Sequence, residues 1–286
     1  MSLTDAIQRA NDLRRPLVMG VVNVTPDSFF DGGRFAETGQ AVAHGLELAE
    51  QGADILDIGG ESTRPGAEPV GVESELNRVI PVIEGLRRET ACSISIDTSK
   101  PQVMRAAIAA GADMINDVNG LRDPRAVEAA AELGVPVCLM HMQGEPRTMQ
   151  TSPSYGDVVA EVAEFLEQRV ESCLSAGMKR AQLVIDPGFG FGKTLDHNLA
   201  LLNGIETLRG SGIAVLAGLS RKSMLAAITG RTATDERLAA SLAAALLVAQ
   251  QGAAILRVHD VAETLDVLKV WIAARSVETA QLQALE

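Results

Sequence analysis

Short runs rich in Val, Ile and Leu recur along the chain near residues 17–23, 54–58, 93–97, 113–116, 135–140, 182–186, 213–217 and 254–258. Each is too short for a helix, so the pattern predicts eight strands. Between them, apolar residues at helical spacing predict helices over 38–51, 72–89, 100–110, 123–133, 155–176, 196–208, 221–229 with 235–251, and 260–275. Regular alternation of strand and helix predicts a parallel sheet, because a helix must carry the chain back to the start of the next strand. A helix end, a Gly-Ala hinge and an apolar strand recur together at Gly52-Ala53, Gly111-Ala112 and Gly252-Ala253, where the glycine suits a left-handed helix cap.

Eight such units in 286 residues match a closed (β/α)8 barrel of the TIM type, an α/β fold. An open doubly wound sheet uses the same order. No Ser/Gly-rich linker or shift in composition divides the chain, so residues 1–286 are read as a single domain with a barrel core over about 15–275.

Composition narrows the partners. A net charge of −12 argues against nucleic acid and against an anionic membrane surface, so an anionic ligand needs local basic groups. The longest apolar stretch, Leu238 to Ala249, is shorter than the roughly 20 residues that span a bilayer. Met1 to Leu13 lacks the basic flank and apolar run of an export signal. Cys92, Cys138 and Cys173 are odd in number and contain no CxxC pair, which fits reduced thiols in a cytoplasm.

In a barrel the chemistry sits where strands end, so the polar residues at those positions are the candidates. They are Asn23, Asp57 before Glu61-Ser-Thr-Arg64, Asp97, Asn116 with Asp117, His141, Asp186, Ser220-Arg-Lys222, and Arg257 with His259. Asp and Asn also cap helices, and Asp123, Asp235 and Asp260 are expected to be caps. Asp97 and Asp186 directly end apolar strands where other residues can cap the next helix, which favours a functional role. Gly188-Phe-Gly-Phe-Gly-Lys193-Thr194 lacks the first glycine of a P-loop. Its two phenylalanines suit the sandwiching of a flat ring. The cations and hydroxyls of Ser220-Arg-Lys-Ser223, together with Arg257 and His259, suit phosphate or carboxylate groups. No zinc motif is present. Asn23, Asp27 and Asp31 offer hard oxygens suited to a Mg²⁺ that keeps water and bridges to substrate phosphates. His44 and His197 read as helix-surface residues, and His141 as pocket lining or packing.

Taken together, Met19-Gly-Val-Val-Asn-Val-Thr-Pro-Asp-Ser-Phe-Phe-Asp-Gly-Gly33, Asp57-Ile-Gly-Gly-Glu-Ser-Thr-Arg-Pro-Gly66, Asp186-Pro-Gly-Phe-Gly-Phe-Gly-Lys193, Ser220-Arg-Lys-Ser223 and Arg257-Val-His-Asp260 resemble the dihydropteroate synthases, folate-pathway enzymes inhibited by sulfonamides. Phe30 departs from the serine common in that family. The resemblance implies a (β/α)8 barrel that joins (7,8-dihydropterin-6-yl)methyl diphosphate to 4-aminobenzoate and releases diphosphate by a dissociative mechanism.

By matching motif, Asn23 is expected to hold Mg²⁺, and Arg257, Val258 (through its backbone) and His259 to grip the diphosphate. Thr63, Asp97, Asn116, Asp186 and Lys222 are expected to line the pterin site. Thr63, Arg64, Pro65, Phe191 and Ser223 are expected at the aminobenzoate site, and Asp27, Asp31, Asp97 and Lys222 to serve catalysis. A homodimer is the family's usual state. Two other readings share part of this pattern: a methyltetrahydrofolate-type pterin-binding methyltransferase barrel, and a noncatalytic pterin-binding paralogue. Asp57 and Asp117 have no assigned role.

Overall fold

Parallel strands covered on both faces need apolar side chains on both, which is why the strand segments read as nearly continuous apolar runs. A computed structural model of the chain describes residues 1–24, 33–63, 66–145 and 147–283. Its strands are β1 (Leu17–Asn23), β2 (Ile55–Gly59), β3 (Ser93–Asp97), β4 (Met114–Asp117), β5 (Val137–Met140), β6 (Leu183–Asp186), β7 (Ala214–Ala217) and β8 (Ile255–Val258). All neighbours pair in parallel in sequence order, and β1 closes on β8 with Leu17 opposite Ile255. The barrel is therefore closed, and the open-sheet alternative is set aside.

The helices are α1 (Leu3–Leu13), α2 (Gly33–Glu50), α3 (Val72–Glu89), α4 (Pro101–Ala109), α5 (Pro124–Leu133), α6 (Val158–Ser175), α7 (Leu195–Asn203), α8 (Ile205–Arg209), α9 (Ser223–Thr229), α10 (Leu238–Gln250) and α11 (Val261–Gln283). Several of them differ from the sequence expectation. The helix expected over 196–208 breaks at Gly204 into α7 and α8, and the one expected from 155 begins at Val158, where Asp157 caps the amides of Val159 and Ala160. The pattern also gave no helix at the amino terminus, where α1 forms behind a Ser2–Asp5 capping box.

Strand periodicity of two sorts the strand residues between two cores. Leu56, Ile58, Ile94, Ile96, Ile115, Ile185 and Leu256 point outward and pack under the helices. Met19, Ile55, Met114, Cys138, Val184, Leu216 and Ile255 fill the barrel interior, and Ile7 and Ala10 of α1 pack against that inner cluster. Helix α1 thus stoppers the end of the barrel at which the strands begin. Extending the same alternation, Asp57, Asp97, Asn116, Asp186 and Arg257 fall on the inward phase, one layer above the apolar plug.

Candidate active site

The inward polar layer is built around Arg257. Its Nε donates to Asp57 Oδ2 at 2.6 Å and its Nη2 to Asp97 Oδ2 at 3.0 Å. Asn116 Nδ2 donates to the same Asp57 oxygen at 3.1 Å. One carboxylate of β2 therefore holds a residue of β4 and a residue of β8 across the barrel. Asp57 is fully buried, and its Oδ1 has no hydrogen-bond partner among the described residues. Burial works against the Arg257 charge, but Asp57 and Asp97 outweigh it and hold the guanidinium protonated. Asp97 is pushed up to about 8, first by burial and then by the Asp57 charge, with Arg257 pulling the other way.

On the other side of the mouth, Asp186 Oδ1 accepts from Gly188 N at 2.7 Å, and burial raises its pKa against the pull of Lys222. Lys222 donates to the Phe189 carbonyl and stands 4.6 Å from the centre of the Phe191 ring. Burial lowers it to about 8, although Asp186 favours its charged form. The turn that brings Lys222 inward puts Arg221 in the left-handed region, at φ 59°. Ser241 Oγ accepts the Arg221 amide at 2.9 Å. Arg221 itself swings outward onto both oxygens of Asp260.

Several expectations need correcting on this geometry. Asp260 stands just before α11, its carbonyl accepting the Thr264 amide at 3.1 Å as a cap position does, while its side chain pairs with Arg221, which is spent on that pair instead of being an anion grip. Asp235 lies inside a 3₁₀ turn with no side-chain cap bond, whereas Asp123 does cap α5 through the Arg125 amide. Phe189 is fully buried in the outer core, so it cannot sandwich a ring in the mouth; Phe191 alone packs with Met140, Met142 and Met149 beside the site. Of the two readings of His141 the structure agrees with packing: it is buried edge-on to Phe165, and burial and the neighbouring Lys193 lower its pKa to about 3.

Lys193 has no role in the sequence reading. Its buried Nζ contacts His141 Nδ1 at 2.9 Å and donates to the Gly188 and Phe191 carbonyls at 3.0 and 2.9 Å, tying the loop that carries Phe191 to the end of β5. Burial lowers it to about 7. No sequence motif distinguishes this clasp from an exposed lysine. Asp117 is structural: it lies out of phase with Asn116 and accepts from Ser99 Oγ and from the Asn119 and Leu121 amides, both at 2.8 Å.

The remaining expected site residues sit around the same rim. Asn23 ends β1 half-buried, opposite Gly59 in the register. Thr63 is half-buried in the loop after β2, and Ser223 is exposed at the first position of α9. Val258 turns its side chain into the outer core, which leaves only its backbone to face a ligand. His259 donates its amide to Ser220 Oγ at 3.2 Å, and its Nδ1 lies 3.0 Å from the same oxygen. Asp27, Asp31, Arg64 and Pro65 lie outside the described residues.

A floor of carboxylates and an amide with a cation on either side suits a ring rich in N–H donors that carries an anionic group. The profile of the pterin binding enzymes matches residues 19–259. The chain belongs to the pterin-binding enzyme family.

Its relatives are close. It is 51% identical over 260 residues to the dihydropteroate synthase of Haemophilus influenzae, covering 91% of this chain and 94% of that protein. A solved structure of Xanthomonas albilineans dihydropteroate synthase with 4-aminobenzoic acid superposes with a TM-score of 0.87 at 58% identity, covering 91% of this chain and 93% of the other. A second structure of that enzyme, in complex with 7,8-dihydropteroate, gives a TM-score of 0.83 at 55% identity, covering 91% and 94%.

Proposed function

We infer that this family member is a dihydropteroate synthase, a transferase of folate biosynthesis. It condenses (7,8-dihydropterin-6-yl)methyl diphosphate with 4-aminobenzoate to give 7,8-dihydropteroate and diphosphate. The observation that carries the reading is the inward layer itself, with Asp97, Asn116 and Asp186 flanked by Lys222 and Arg257 at the carboxyl end of a closed barrel.

Asp186 and Asn116 read the donor and acceptor edge of the pterin, with Asp97, Thr63 and Lys222 completing its site. A buried carboxylate is suited to this because it accepts two N–H bonds at once. Arg257 spends Nε and Nη2 on carboxylates, and Nη1 is left as the guanidinium nitrogen for the diphosphate. His259 and the Val258 backbone stand beside it. Phe191 offers a ring face and Ser223 a hydroxyl for 4-aminobenzoate, together with Thr63, Arg64 and Pro65.

The reaction breaks the C–O bond to diphosphate and forms a C–N bond at the same methylene carbon, and the amine then loses a proton. A dissociative course places positive charge on the pterin before the amine attacks. Asp186 and, once it ionises, Asp97 stabilise that charge, while the cations beside the diphosphate stabilise the leaving anion. No covalent protein nucleophile is required.

Mg²⁺ suits this site at Asn23. No group of three His, Cys, Asp or Glu able to hold a metal occurs among the described residues. Among the described residues the Asn23 amide oxygen would hold the ion, a hard donor of the kind that Mg²⁺ takes. When bound, the ion neutralises charge on the leaving diphosphate.

A cytoplasmic location accords with the three free thiols, and no helix among the described residues is long and apolar enough to cross a membrane. A homodimer is proposed through the adjacent helices α10 and α11, which expose Leu247 and Val270 respectively. Sedimentation at micromolar concentration is expected to give twice the chain mass.

The deciding assay supplies the pterin diphosphate, 4-aminobenzoate and Mg²⁺ and follows both products. Stoichiometric diphosphate and dihydropteroate are expected. Pterin binding without either product would make the chain a noncatalytic binder.

A further inference from the structure

A second ionic cluster lies beside the mouth and has no part in the mechanism above. Lys100 Nζ is 2.5 Å from Glu61 Oε2 and 2.5 Å from Glu75 Oε2. Glu75, in the first turn of α3, is fully buried, and its Oε1 has no partner among the described residues. Burial works against the Lys100 charge, but the two glutamates outweigh it and raise its pKa. With Glu75 fully buried and its two partners half-buried, such a triad is a poor source of stability, since desolvation offsets much of the Coulomb gain; its better-attested use is to specify a position.

The position at stake is the loop after β2. Glu61 Oε1 accepts the amide of Val70 at 2.8 Å, joining the two ends of that loop, while its other oxygen is on Lys100. The preceding residue, Gly60, is seated on α3: Arg78 Nη1 donates to its carbonyl at 2.7 Å, and a Cβ there would lie 2.7 Å from Val79 Cγ1. Lys100 is the N-cap of α4, and its amide donates to Thr98 Oγ1 at 3.2 Å, one residue beyond Asp97. The triad therefore ties the loop that carries Thr63 to the strand end that carries Asp97.

We propose that Lys100 is a positioning residue for Thr63: by holding Glu61 between the start of α4 and the buried Glu75, it fixes where Thr63 stands at the mouth of the barrel. The proposal rests on the reading of Thr63 as a substrate contact, and the experiment separates the two.

Steady-state kinetics of the full chain with Mg²⁺ are measured for Lys100→Met, Thr63→Ala and the double variant, varying each substrate in turn. Lys100→Met is expected to raise KM about tenfold for the substrate whose KM rises in Thr63→Ala, with kcat changed by less than about twofold. The double variant is expected to be no worse than Thr63→Ala alone, since a residue acting through another adds nothing once that one is gone. Lys100→Arg, which can still bridge two carboxylates, is expected to restore KM. Glu61→Gln keeps the size of the side chain and the bond to Val70, so it repeats the test should Lys100→Met fold poorly. Wild-type kinetics in Thr63→Ala would remove the reading of Thr63 and the proposal with it. An impaired Thr63→Ala beside unaffected Lys100→Met and Glu61→Gln, or losses that multiply in the double variant, would overturn the proposal alone.

Discussion

Arg257 and Asp186 show how burial gives ordinary side chains a use. Asp186 accepts one backbone amide, and the rest of its accepting capacity faces the mouth. Asp186→Asn replaces one accepting oxygen with a donor at nearly constant volume. It is expected to weaken pterin binding by about 1–3 kcal/mol, roughly ten- to a hundredfold, in calorimetric titration. Affinity within error of wild type would sink the assignment.

Asp97 gives a prediction on stability. Its pKa is raised in the fold to about 8, against about 3.9 in an unfolded chain. The folded state therefore keeps a proton that the unfolded state has lost. The stabilisation is complete below the unfolded value and disappears as pH rises towards about 8. Between pH 5 and 8 the melting temperature of the wild type is expected to fall more steeply than that of Asp97→Asn. Parallel curves would mean that Asp97 is ionised throughout.

At the scale of elements, the loop after β6 depends on close backbone approach. Gly188 has φ +68°, and a Cβ there would lie 1.9 Å from the His141 carbonyl oxygen. Gly230 has a similar φ of +72°, but a Cβ there meets nothing within 4 Å. Gly230→Ala is expected to cost about 1 kcal/mol from the backbone conformation alone. Gly188→Ala carries the same cost plus displacement of the β5 end, so its melting temperature is expected to drop further. Equal losses at the two glycines would show that the loop yields without disturbing β5. The glycine-rich spacing is visible in the sequence, but there it suggests two ring-binding phenylalanines. Folding instead buries Phe189, clasps Lys193 on three partners and leaves Phe191 at the rim.

For the molecule as a whole, the two ends of the barrel have different jobs. Helix α1 closes the end remote from the chemistry, with Ile7 only 1% exposed against the inner cluster. Ile7→Ala is expected to cost about 2–5 kcal/mol in unfolding free energy while leaving both KM values unchanged. A changed KM would mean that the plug communicates with the mouth.

Much of this architecture was legible in the chain, because apolar periodicity and Gly-Ala hinges are local signals that a linear sequence carries. Eight strands in order, the closed barrel as the favoured reading, and the strand-end polar residues followed from them. Helix α1 did not, since its value lies in a stopper that exists only once eight distant strands have closed. The same distinction runs through the site. Local chemistry nominated Asp97, Asn116, Asp186, Lys222 and Arg257. Only the tertiary structure decided that Asp57 joins β4 to β8, that Arg221 turns away to Asp260, and that Glu75 lies buried beneath Lys100. Those outcomes depend on which charges meet across strands and helices far apart in sequence, and on the loss of water around them, neither of which a linear pattern records.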